Sequence, residues 1–269
     1  MNKFLQEKLK LDKKKKERTD KMLKIAVLVI VLGYVFFFTS NFFFPKVYKN
    51  KEVTPIGNEI NMEDYVITLD SWDYSKEDRS FELIFEFKNL TTKLKPEMEF
   101  TCMKDSTRLD TVIHKNYGNK IIVRVTDTPR NWQEVYMNIE IDGKYAKVNT
   151  NDKEVHMVSH ILDRNREEYD IYALEQKSNG YKKQISKIDN ILEKEYKKME
   201  IAYERTDELK KQKKTQTKSE KEKTDENIEK IRTEYLSAFE YSKKLNEEKV
   251  DLQKKIKNIA LQLEKKKNK

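Results

Sequence analysis

The chain has 269 residues, 38% of them charged, with a formal net charge of +9 and a pI near 9.1. That much charge excludes a single compact globule, and one cysteine, Cys102, excludes an intrachain disulfide framework. A basic pI raises nucleic acid as a partner, but the C-terminal Lys and Arg alternate with Glu and Asp as on a solvated helix face, which argues against it.

The first 24 residues form a basic tail, with Lys13 to Lys16 in an unbroken run. Residues 25–44 then carry no charge. This length suits one helical crossing of a hydrocarbon core about 30 Å thick, which needs about 20 apolar residues. Ile25, Leu28, Leu32 and Phe36 supply apolar surface, and Phe44 closes an aromatic group where an interfacial belt is expected, just before Pro45. The rival reading is a cleaved secretory signal, whose apolar region is shorter, about 7–15 residues, and ends in a small-x-small site. The exit Ser40-Asn41-Phe42-Phe43-Phe44-Pro45 has no such site and no lipobox cysteine, which favours an uncleaved signal anchor. Basic residues crowd the N-terminal flank, whereas Lys46, Lys49 and Lys51 are all that follow closely. The positive-inside rule therefore predicts a cytoplasmic N-terminus, an extracytoplasmic C-terminus and a plasma-membrane location.

Residues 46–158 contain both Trp, three of the four Pro, and Gly57, Gly118 and Gly143, a folded-domain composition. Tyr65, Ile67 and Leu69 alternate with other residues at period two. In the same way Phe81, Leu83, Phe85 and Phe87 oppose Glu82, Ile84, Glu86 and Lys88, and Val135, Met137, Ile139 and Ile141 repeat the pattern. Each reads as a strand with one buried face. Further strands are predicted over 98–103, 107–114, 120–125 and 144–148, separated by turn residues around Asn89, Asp105, Gly118, Asp127 and the hairpin pair Asp142-Gly143. Seven or eight short strands without helical patterns between them predict a two-sheet, immunoglobulin-like antiparallel β-sandwich.

Pro55-Ile56-Gly57-Asn58-Glu59, the stretch 65–72 and the stretch 81–91 resemble the opening of a small Ig-like domain of unknown function, found on lipoproteins and membrane-anchored surface proteins of Gram-positive bacteria. The resemblance implies a surface location and a sandwich fold, and assigns no site.

No catalytic constellation emerges from the sequence. His156 and His160 are four residues apart but lack the intervening Glu of a zincin, and Asp70, Asp73, Glu77 and Asp78 lack the glycine and terminal glutamate of a calcium loop. No cofactor or metal is expected. Trp72 and Trp132 are expected in the core, and Cys102 as a small buried hydrophobe.

Residues 159–269 contain no Pro, no Trp and only Gly180, and are expected to be helical. A first stretch, 161–177, places Leu162, Tyr169, Tyr172 and Ala173 on one side, and Ser178-Asn179-Gly180 is expected to break it. A seam follows through Tyr181, Ile185, Ile188, Leu192, Glu195, Met199, Ala202, Thr206 and Leu209. A second runs through Ile228, Ile231, Tyr235, Ala238, Ser242, Leu245, Lys249, Leu252, Ile256, Ile259 and Leu263, both at alternating spacings of three and four. The seams are out of step, and no apolar residue lies between Leu209 and Ile228. A turn near 215–223 accounts for both facts and predicts an antiparallel coiled-coil hairpin with arms near 181–212 and 226–266. A long parallel dimer is the alternative, and leaves homo-oligomerisation open.

The resulting α+β architecture of anchor, sandwich and helical hairpin leads to the expectation of a non-enzymatic envelope protein, a scaffold that recruits partners for a secretion, conjugation or wall-associated assembly. Its expected partners are the lipid bilayer and other envelope proteins, met through the helical region. The alternative is a cell-wall ligand-binding or sensory module that uses the sandwich.

Overall fold

The computed structural model describes residues 53–92 and 95–267. The predicted span, with Ile25, Leu28, Leu32, Phe36 and Phe44, lies outside the described residues. Among the described residues, no helix is long and apolar enough to cross a membrane.

Among the described residues ten strands form two sheets. The first is ordered β1 (Glu59–Asn61), β2 (Tyr65–Ser75), β3 (Ser80–Asn89), β7 (Lys120–Thr126), β6 (Asp110–Asn116), and β10 (His156–Val158) pairs in parallel with β2. The second is ordered β5 (Thr107–Arg108), β4 (Met98–Lys104), β8 (Glu134–Ile141), β9 (Lys144–Asn151). Apart from β10, neighbouring strands are antiparallel.

The alternating apolar rows meet between the sheets. Ile67, Leu69, Leu83 and Phe85 from one sheet and Phe100, Cys102, Met137 and Ile139 from the other belong to one core. Trp72 and Trp132 join it, and Phe81 packs edge-on to both rings. The alternation in β2 changes phase at Asp70. Leu69 pairs with Phe85 and Ser71 with Ile84, so Asp70 is the extra residue of a bulge. Inward positions therefore pass from Tyr65, Ile67 and Leu69 to Trp72 and Tyr74.

Two long helices follow: α1 (Arg166–Lys213) and α2 (Lys218–Lys267), of 48 and 50 residues. At 1.5 Å per residue each is about 70–75 Å long. Asn165 caps α1 in a capping box with Glu168. The turn occupies residues 214–217, where Glu220 accepts from the Thr217 backbone N–H at 2.8 Å and hydroxyl at 2.7 Å. Ion pairs Lys213–Asp225 and Lys249–Asp189, at 2.5 Å each, and Lys266–Asp170, at 2.9 Å, set the helices antiparallel.

Three local expectations are corrected. Ser178-Asn179-Gly180 does not end a helix; α1 runs straight through it. Gly180 is there for contact: a Cβ on it would lie 2.6 Å from Ile56 Cβ, so only glycine lets the helix come this close to the segment before β1. Leu162 is exposed and precedes the helix. The outward row of β3 is also not solvated, because Glu82 and Ile84 are fully buried beneath α1.

Candidate functional site: the hairpin and its joint to the sandwich

The first turns of α1 lie across the outer face of the first sheet. Tyr169 and Ala173 pack on Ile84 and Ile122 and form a small apolar island. Charge surrounds it. The Glu82 carboxylate accepts from Arg124 Nε at 2.8 Å, Tyr169 Oη at 3.0 Å and Arg164 Nη1 at 3.2 Å. Burial opposes the Arg124 guanidinium, but its contacts with Glu82 hold its pKa above the ordinary value. Tyr169 is shifted up, first by burial and then by the Glu82 charge.

One helical turn on, Tyr172 Oη donates to Asp73 Oδ2 at 2.9 Å, and His156 Nδ1 meets the other oxygen of Asp73 at 2.8 Å. That hydrogen bond raises the His156 pKa. A further turn on, Lys177 reaches Asp70 at 2.6 Å and Glu86 at 2.9 Å, while Lys120 approaches Asp70 from β7 at 3.2 Å. Burial pushes the Asp70 carboxyl up against the pull of these two lysines. Burial also opposes the Lys177 ammonium, yet the Asp70 and Glu86 carboxylates outweigh it and raise its pKa. The geometry, one ammonium between two carboxylates, supports the charged form.

The last contacts of α1 with the sandwich come from Gln184, donating to the Ile56 carbonyl at 2.8 Å, and from Lys183 and Lys187, which both bind Glu154. Beyond Lys187, among the described residues, the helix has only α2 beside it for roughly 26 residues, a projection of about 40 Å.

Along the hairpin the packing changes character. Near the sandwich, Ile188 and Leu192 pack with Leu245, Leu252 and Ile259, all buried, and the half-buried Ile185, Ile256 and Leu263 complete this cluster. Towards the turn, the buried positions are Glu195, Leu209, Thr224, Ala238 and Ser242, and Ile228 and Ile231 are only half-buried. The Ser242 hydroxyl has no hydrogen-bond partner among the described residues. The hairpin is thus apolar at its base, whereas along its projecting half the buried positions, Leu209 apart, are polar or small.

The remaining chemical candidates separate in space. His160 meets Asp78 and Glu77, and His114 meets Asp163. Among the described residues no three His, Cys, Asp or Glu side chains converge as a metal site would require. Cys102 is buried, and burial pushes its thiol up to about 12. A cleft of about 280 Å³ lies between the segment before β1, strand β10 and α1. Ile56, Trp72, Val155 and Met157 are in its lining, and the buried Ser71 Oγ and Trp72 Nε1 there have no hydrogen-bond partner among the described residues.

The joint was hidden from strand alternation, which assigns Glu82 and Glu86 to solvent. Ile84 and Ile122 in the same outward rows, followed downstream by Tyr169, Tyr172 and Ala173 on one helix side, are the signal that reveals it. Comparison with protein-family models, curated proteins and solved structures finds no match to this chain.

Proposed function

We propose that the chain is a non-enzymatic, single-pass envelope protein whose extracytoplasmic part is a scaffold that recruits partners through its helical hairpin. The observation that carries this reading is the projecting half of the hairpin, where Tyr196, Tyr203, Leu236 and Phe239 stand exposed on a helix pair whose first helix is fixed at its base to the sandwich. The uncharged stretch 25–44 and its basic N-terminal flank support the anchor and the orientation. The immunoglobulin-like reading of the sandwich is supported by strand order: β2-β3-β7-β6 over β4-β8-β9 follows the ABED and CFG sheets of a constant-type domain.

Photo-crosslinking in cells from positions along 228–263 is expected to trap a specific protein, given a secretion, conjugation or wall-associated assembly as the setting. Capture of no protein, together with saturable glycan binding by the sandwich, would refute it. For topology, Tyr145 is replaced by Cys; it is 74% exposed, and the native thiol is buried. Labelling by an impermeant maleimide in intact cells is expected, and protection until lysis would overturn the orientation.

The second reading, a ligand-binding module, is favoured by the cleft beside Trp72. Under it, a Met157→Trp substitution that fills the cleft abolishes wall-ligand binding and spares the hairpin crosslinks.

A further inference from the structure

One flank of the hairpin carries large apolar side chains that no described residue covers. On α1, Tyr196 and Tyr203 each follow a seam residue, Glu195 and Ala202; on α2, Phe239 follows Ala238, and Leu236 and Val250 follow Tyr235 and Lys249. Exposures run from 48% at Val250 through 52% at Phe239 to 73% at Tyr203. Asn246 Nδ2 donates to Tyr196 Oη at 3.0 Å, which places the two helices' contributions on the same side. The sandwich contacts of α1, from Gly180, Gln184 and Lys187, come from the other side of the helix.

Charge borders this stripe asymmetrically. Its α1 edge carries Glu193, Glu200 and Asp207, and its α2 edge, basic on balance, carries Glu229, Arg232 and Lys243, all exposed. With Asp189 opposite Lys249 and Lys213 opposite Asp225, Glu193 lies level with Leu245 and Asp207 level with Ile231. The bonds that Asp207 and Arg232 make within the chain, to Lys211 and Glu229, are exposed short-range pairs that contribute little.

We propose that the occupant of this face is a second copy of the chain, related by a twofold axis parallel to the hairpin. This inference rests on reading the hairpin as an interaction element. Such an axis preserves level and lays α1 of one copy over α2 of the other. Glu193 then meets Lys243 of the second copy, Asp207 meets its Arg232, and Tyr196 and Tyr203 pack over its Phe239 and Leu236. A twofold axis across the hairpin would instead stack the acidic edges on each other, at a cost. Two helices each about 10 Å across, over roughly 33 Å of length, offer about 650 Å² per copy, within the range of specific interfaces. The two sandwiches lie at the same end of the resulting four-helix bundle.

Sedimentation equilibrium of the full-length chain in detergent is expected to give a dimer, and Phe239→Glu a monomer of unchanged helix content. Reversing the acidic edge (E193K with D207K) or the basic edge (R232E with K243E) is expected to weaken the dimer about tenfold, roughly 1.4 kcal/mol. Combining the two reversals should restore it. A monomeric wild type, or a combined variant as weak as either reversal, overturns the proposal. A photo-crosslinker at Phe239 in cells separates the two levels of the argument. An adduct of the chain with itself supports the dimer, an adduct with only another protein overturns the dimer and leaves the scaffold reading standing, and the absence of any adduct overturns the dimer and, together with saturable glycan binding by the sandwich, the scaffold reading as well.

Discussion

Replacing Glu82 by alanine tests whether the polar joint holds α1 to the sandwich. Its carboxylate is fully buried and satisfies two guanidinium groups and one phenol, all within 3.2 Å. Removing it strands Arg124 and Arg164, whose side chains are only 19% and 16% exposed. Breaking a buried pair from one side costs about 3–5 kcal/mol. Asp163, 3.9 Å from Arg124, offers partial compensation, which puts the expected loss at the lower end, about 3 kcal/mol. In a folded unit of this size, 1 kcal/mol moves Tm by about 2–4 °C, so a fall of roughly 6–12 °C is expected. Tyr169→Phe removes one donor and should cost about 1 kcal/mol. Because both variants cut the same network, the double variant should be less destabilised than the sum of the two. Urea unfolding followed by far-UV circular dichroism measures these losses. Hydrogen exchange should rise in the first turns of α1 and in β3 while the β8–β9 hairpin stays protected. A Glu82→Ala loss below about 1 kcal/mol, the scale of a single ordinary hydrogen bond, would refute the reasoning.

Gly180→Ala would add helix propensity, yet its Cβ would sit 2.6 Å from Ile56. Overpacking of about 1–3 kcal/mol outweighs a propensity gain of about 1 kcal/mol. Tm should fall, and a rise would show that the segment before β1 moves away freely. Ser242→Ala removes a buried hydroxyl without a partner and improves propensity, so it should stabilise by about 1 kcal/mol in the same urea assay, and destabilisation would reveal a missed hydrogen bond. The folded-state pKa of His156 is raised, chiefly by its hydrogen bond to Asp73, so its contribution is fully present below the unfolded value near 6.5 and is lost as pH rises through the folded value. Tm measured from pH 5.5 to 8.5 should therefore drop more in the wild type than in His156→Asn; parallel profiles would remove His156 from the joint.

Period-two alternation located the strands because one face of each sheet meets the other sheet. It mislabelled the second face of β3, since solvent exposure was inferred from Glu82 and Glu86 without asking what the downstream helix covers. Nor could it anticipate the phase change at Asp70, because a bulge is set by pairing with β3, and pairing is not written in either strand alone. The polarity of 210–227 pointed to a turn there, but its position at 214–217 depends on the cap that Glu220 gives Thr217. Gly180 was read as a helix stop because glycine is common there, whereas its role is close approach. The seam residues were legible from spacing, but the difference between base and projecting half is one of composition, visible only once Glu195, Thr224 and Ser242 are seen to occupy core positions.

A joint built of charges is a poor choice for stability alone, since well-packed apolar replacements of buried ion pairs are often neutral or stabilising by about 1–4 kcal/mol. What charges provide here is register. Tyr169 meets Glu82, Tyr172 meets Asp73 and Lys177 meets Asp70 and Glu86, so each successive turn of α1 has a carboxylate of β2 or β3 as its specific partner. An apolar ridge would tolerate a slip or tilt that these contacts forbid. Because α1 runs unbroken to Lys213, a tilt of about 10° at the joint displaces the tip of a 40 Å projection by about 7 Å. Replacing Asp70, Lys120 and Lys177 by leucine and Glu86 by glutamine, so that no carboxylate is left unpaired, should therefore leave stability unchanged or higher, yet broaden the direction in which the hairpin points. Spin labels on Tyr145→Cys and Thr215→Cys, both exposed positions, measure that spread as the width of their distance distribution. A variant as stable and as narrowly distributed as the wild type would show that the apolar island of Ile84, Ile122 and Ala173, with the Glu82 and Asp73 contacts, is enough to aim the hairpin, and that the charges replaced are dispensable to it.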